Sequence, residues 1–145
     1  MKQIIFNKEE ISLLLPLVQR CFERNIHLIK HKGTPRFDKA YSNMLESIQE
    51  KISENKPASY LEMERCICTG YLNEYMEQLY KQSGLSNKIA WKEMSEEQRT
   101  AATNIDVCKD IMEKFGEYYK DSLDRNFRYI FRFRHTNTQL NIAMN

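Results

Sequence analysis

Hydrophobic residues recur along most of this chain at three- and four-residue steps, and the breaks between runs fall at glycine, proline and helix-capping residues. In the first run Ile11, Leu14, Leu15, Val18, Cys21, Phe22, Ile26 and Ile29 share one helical face. Asn7, with Glu10 three positions on, predicts the helix start as a capping-box-like pair that satisfies two orphan amide donors. Pro16 predicts a kink, because it removes a hydrogen bond and its ring presses on the carbonyl four residues back. Lys30, His31 and Lys32, followed by Gly33, predict the stop, so the helix covers about 8–31.

Thr34 and Pro35 open a second stripe of Phe37, Tyr41, Met44, Leu45, Ile48 and Ile52, a helix over about 35–54 that ends before Pro57. "SYLE", Ser59 to Glu62, has the form of a capping box and predicts a third helix over about 60–82. Its apolar positions, Leu61, Ile67, Cys68, Tyr71, Leu72, Tyr75, Met76 and Leu79, are broad enough to touch two neighbours, and "SGLSN" closes it. A further capping box, "SEEQ" at Ser95 to Gln98, leads into Ile105, Cys108, Ile111, Met112, Phe115, Tyr118, Tyr119 and Leu123, a helix over 96–123 or longer. Trp91, just before that cap, is expected to pack across the helix start.

The chain is long enough for one core and has no repeat or long linker, so the expectation is a single mainly α domain over 1–145, an antiparallel four-helix bundle. "MKQIIF" and "TQLNIAMN" look like short strands that could pair with each other or with a second copy, lying against the bundle.

The stretch "RNFRYIFRFRHT", 125–136, fits two periods. As a helix it extends the face of Phe115 through Phe127, Ile130 and Phe131; extended, it puts Phe127, Tyr129, Phe131 and Phe133 on one side and Arg128, Arg132 and Arg134 on the other. A helix from Ser95 to Arg134 would run about 60 Å at 1.5 Å per residue, twice the length of its neighbours. Either Gly116 or "KDSLDRN" breaks it, or the overhang is buried by another subunit; the cost of leaving so many aromatic side chains in water points to a homodimer.

Charge singles out the same region. The net charge is +2, yet residues 125–145 hold four arginines and no acid, leaving 18 basic and 20 acidic residues before them. Arginines among aromatics suit anion pairing and stacking, so the candidate partner- or anion-binding residues are Arg125, Arg128, Tyr129, Phe131, Arg132, Phe133 and Arg134. The bland alternative is that the arginines pair with the glutamates of the bundle. A pI near 8.3 is low for a dedicated nucleic-acid binder, and no zinc-finger or RNA-recognition signature is present.

Chemistry is sparse elsewhere. Glu23, His27 and His31 step by four along one helix, but Ile26 and Ile29 mark the buried side, so His27 points away from the core and a metal is not expected. Cys66 and Cys68 fall on opposite faces, and Cys21 and Cys108 lie on apolar stripes, giving reduced structural thiols. Pairs such as Glu9 with Glu10, Glu62 with Glu64 and Glu96 with Glu97 are expected as solvated charge at caps and on polar faces. No nucleophile elbow, phosphate loop or dinucleotide fingerprint occurs, so neither catalysis nor a cofactor is expected. No apolar run reaches membrane-spanning length and the front turns charged too early for a secretory signal, which predicts a cytoplasmic protein.

The resulting expectation is a small non-catalytic binding or regulatory protein, with the composition of a bacterial or phage accessory regulator, that grips a partner protein through its C-terminal region. Two alternatives are nucleic-acid binding by the same segment and capture of a nucleotide-like ligand between subunits with Tyr118, Tyr119 or Tyr129 stacking.

Overall fold

The computed structural model describes residues 2–32, 36–86, 88–116 and 128–130, with the side chains of 27–32 and 36–38 left aside. Four helices dominate: α1 (Lys8–Lys32), α2 (Arg36–Ser53), α3 (Glu62–Ser83) and α4 (Glu96–Phe115). Two strands of two residues each, β1 (Gln3–Ile4) and β2 (Ala58–Ser59), form a small antiparallel sheet. The helices pack on one another as in a helical bundle, and the side-chain pairings within each unit join sequence neighbours antiparallel. The chain divides into two compact units, Met1–Leu72 and Asn73–Asn145, with the division inside α3.

In the first unit α1 starts as expected. The Asn7 amide donates to Glu10 Oε1 at 2.8 Å and the Glu10 amide to Asn7 Oδ1 at 2.9 Å. The helix runs on through Pro16 to Lys32. Leu14 and Val18 are fully buried against α2, whose Leu45, Ile48 and Ile52 form the facing row. Asn25, buried, donates to Ser42 Oγ at 2.6 Å and joins the two helices through a polar contact. The expected stop at Gly33 and start at Thr34 and Pro35 lie outside the described residues.

Asn55 turns the chain after α2 with φ of 51°, a left-handed conformation that asparagine tolerates better than most residues. The chain then extends into β2, and here two expectations are corrected. β1 pairs with Ala58–Ser59, Gln3 facing Ser59 and Ile4 facing Ala58; the expected C-terminal partner, "TQLNIAMN", lies outside the described residues. Because Ser59 sits in this ladder it does not cap α3, which begins two residues later than the "SYLE" box implied. Ile4, Phe6 and Tyr60 point inward, Phe6 and Tyr60 meeting edge to face with ring centres 6.0 Å apart. Leu61, placed on the apolar stripe by periodicity, is 52% exposed because it precedes the helix and faces out.

The true start of α3 is built on Glu64. Its carboxylate is fully buried and accepts the Leu61 amide at 2.8 Å, Lys51 Nζ at 2.6 Å and Ser47 Oγ at 3.1 Å. Three donors satisfy a charge that burial would otherwise penalise heavily. Lys51 also lies 5.3 Å over the Tyr60 ring. Glu64 and Glu10 thus occupy cap positions as expected, but both are buried rather than solvated.

In the second unit the core is Met76, Leu85, Met94, Ala101, Ala102, Ile105, Cys108, Ile111, Met112 and Phe115, joined by Tyr129. Gly84, with φ of 67°, turns the chain at the end of α3. Ser95 and Gln98 form the predicted capping box on α4, with reciprocal bonds of 3.0 and 3.1 Å. Trp91 packs there as expected: the Arg99 guanidinium sits 5.5 Å over its ring and donates to its carbonyl at 3.1 Å. Gly116, left-handed with φ of 75°, ends α4. The helix expected over 96–123 or longer therefore ends at Phe115, and no single helix runs from Ser95 to Arg134.

Candidate functional site

Aspartates and a glutamate at Asp106, Asp110 and Glu113 recur at four- and three-residue steps, which places them along one face of α4. Residues 128–130 lie against that face. The Asp106 carboxylate, only 6% exposed, accepts the backbone amides of Tyr129 at 2.8 Å and Ile130 at 2.6 Å. Tyr129 and Ile130 are helical, so Asp106 satisfies the first amides of a new turn in the manner of a cap, from more than twenty residues away. Burial pushes the Asp106 carboxyl above its ordinary range; the two amides and the nearby Arg128 and Lys109 charges pull it back.

Arg128, 4% exposed, fixes the same junction from its side chain. Its Nε donates to Asp110 Oδ1 at 2.8 Å and its Nη2 to Glu113 Oε2 at 3.3 Å. The two carboxylates are themselves more than half exposed, so a buried guanidinium reaches outward to solvated acids. For Arg128 the bland expectation, pairing with acids of the bundle, describes what the side chain does. Tyr129 is buried in the core of this unit. Of the other candidates, Arg125, Phe131, Arg132, Phe133 and Arg134 lie outside the described residues, as do Tyr118 and Tyr119.

Asp106, Lys109, Asp110 and Glu113 were not singled out in the sequence. Their signal was an acidic row at helical spacing in a chain whose arginine-rich segment lacks acids of its own.

The four cysteines are free thiols. Cys66 is exposed while Cys68 is buried, as the opposite-face reading requires, and burial pushes the Cys68 and Cys108 thiols well up, away from nucleophilic use. No group of three metal-ligating side chains occurs among the described residues, and the side chains of His27 and His31 fall outside them. Along α3, Arg65 Nε, Thr69 Oγ1 and Asn73 Oδ1, at four-residue steps, are buried with no hydrogen-bond partner among the described residues. No described helix is long and apolar enough to cross a membrane.

These features define the class as a helical bundle with a junction at residues 128–130 fastened to the last of its four described helices. No protein-family model matches the chain, and neither does any curated protein or solved structure.

Proposed function

We propose that this is a non-catalytic binding protein, a regulator or accessory factor, that recognises a partner protein through residues 131–145. The observation that carries this reading is the double fastening of residues 128–130 to α4 by Asp106, Asp110 and Glu113. It gives Arg128 and Tyr129 an internal role and makes residue 130 a fixed point from which the remaining chain departs. Recognition then rests on Phe131, Arg132, Phe133 and Arg134, a segment with two arginines, two phenylalanines and no acid up to residue 145. Aromatic and arginine side chains are the residues that most often carry the binding energy of protein interfaces.

Binding to a protein is expected to survive moderate salt and to depend on Phe131 and Phe133. Nucleic-acid binding, the second reading, is favoured by the same arginines. It predicts affinity that falls steeply between about 50 and 200 mM salt. Fluorescence anisotropy with labelled single- and double-stranded DNA and RNA, on the native protein and Arg132→Ala/Arg134→Ala, separates the two. Salt-sensitive, arginine-dependent binding would replace the protein-partner reading, and no binding at low salt would leave it standing. Light scattering on the same sample gives the number of copies.

A further inference from the structure

Within the second unit, the last turns of α3 and the first turns of α4 border a cavity of about 260 Å³. Leu79 of α3 and Ala101 of α4 give it an apolar surface, and the rest of its lining is polar. Two bonds between the helices hold its walls together: Gln98 Nε2 donates to the Ser83 carbonyl at 3.1 Å, and Asn104 Nδ2 to the Tyr75 hydroxyl at 3.3 Å. The lining is rich in acceptors. The Ser83 hydroxyl donates to the Leu79 carbonyl and the Thr100 hydroxyl to the Glu96 carbonyl, so each spends its proton within its own helix and offers lone pairs beyond it. Asn104 turns its amide nitrogen to Tyr75 and keeps its carboxamide oxygen as an acceptor. Glu97 is the one charged side chain among the described lining residues, and it forms no ion pair among the described residues.

We propose that this cavity binds a small organic cation, with a primary ammonium group held by the Glu97 carboxylate and the oxygens of Thr100 and Asn104 and its apolar body against Leu79 and Ala101. An ammonium brings three donors and no acceptor, the converse of this lining, and its bond to a carboxylate is charge-assisted. An anion would face Glu97 with no cation to offset it among the described lining residues. Glu96 and Glu97 both lie in the first turn of α4, where their two charges outweigh the roughly half positive charge of a helix start and set the sign of the site. The volume lies just below the roughly 300–1,000 Å³ of drug-sized sites, which favours a compact ligand with one ring or a short chain. Because the two cross-helix bonds fix the walls, the acceptors are positioned before a ligand arrives. The site uses none of the residues that fasten 128–130 to α4 and stands without the partner reading.

The test is an amide NMR titration of the whole protein at pH 7 with benzylamine and with butylamine, both protonated there. Benzyl alcohol is the uncharged control and benzoate the anionic one. The proposal predicts saturable shifts with at least one amine, centred on residues 79, 83, 97, 100, 101 and 104, and none with either control. Glu97→Gln, at an exposed position, is expected to weaken binding by about fivefold or more while the spectrum away from the cavity stays unchanged. Glu96→Gln, an exposed neighbour outside the lining, should weaken it less. Absence of saturable shifts with both amines, equal shifts with benzyl alcohol or benzoate, undiminished binding by Glu97→Gln, or an equal loss in Glu96→Gln would each overturn the proposal.

Discussion

Replacing Asp106 with alanine removes the contact that starts the chain's last described turn. Two backbone amides, Tyr129 and Ile130, donate to this one buried carboxylate. Hydrogen bonds to a charged group contribute about 1.5–3 kcal/mol each, and truncating a capping side chain to alanine costs about 0.5–2 kcal/mol. These figures describe the same two bonds and are not additive. The cost of holding a carboxylate in the interior, visible in its raised pKa, opposes them. A net loss of about 2–3 kcal/mol is expected, read as a lower urea midpoint at unchanged slope. Hydrogen exchange locates the effect: the Tyr129 and Ile130 amides should lose protection by tenfold or more, whereas the Ser95 cap at the far end of α4 should keep its own. A variant within about 0.5 kcal/mol of the native protein, the range of an ordinary surface change, with both amides still protected, would refute the idea that Asp106 anchors the junction.

Other outcomes follow from the same contacts. Asp106→Asn should cost less at pH 7 than near pH 4. The native carboxyl titrates above its ordinary 3.8, so its contribution is full below that value and shrinks as pH rises through the folded value, whereas the amide does not titrate; urea curves at both pH values check the sign. Glu64→Ala should cost about 3–5 kcal/mol because it leaves Lys51 and the Leu61 amide facing a buried gap, and an effect below 1 kcal/mol in thermal or urea unfolding would contradict the network. Thr69→Val should be neutral or stabilising, since its buried hydroxyl has no partner among the described residues to lose, and a loss above about 1 kcal/mol would reveal one. In a native thiol titration Cys66 should react first and Cys68 and Cys108 only on unfolding, and equal rates for all would contradict their burial.

Local signals were legible wherever one residue's side chain closes on its own neighbourhood. Asn7 with Glu10 and Ser95 with Gln98 sit where spacing and residue type placed them, because a cap is a contact over three or four positions, whereas α4 stops at the left-handed Gly116, short of the expected 123 or beyond. Ser59 has the same spacing to Glu62, yet the ladder with Gln3 engages it first. A two-residue ribbon has no periodicity to read, so the partner of β1 could not be found by pattern. Glu64 and Asp106 were hidden for another reason. Both are acids whose partners come from elsewhere, Lys51 on the preceding helix and the amides of residues 129 and 130, and sequence spacing along one helix carries no trace of either. The arginine-rich segment drew notice through its charge, but only the fold shows Arg128 fastened to α4.

The central claim, recognition of a protein by the segment beyond residue 130, is tested most directly by site-specific photocrosslinking in the cells that make this protein. A benzophenone side chain is placed at Phe133, and for comparison at Glu50 and Thr100, exposed positions on α2 and α4. The account predicts a discrete protein adduct from position 133, absent from 50 and 100 and lost in the Arg132→Ala/Arg134→Ala background. Adducts of equal yield from all three positions, or an adduct at 133 that is sensitive to nuclease rather than protease, would contradict it.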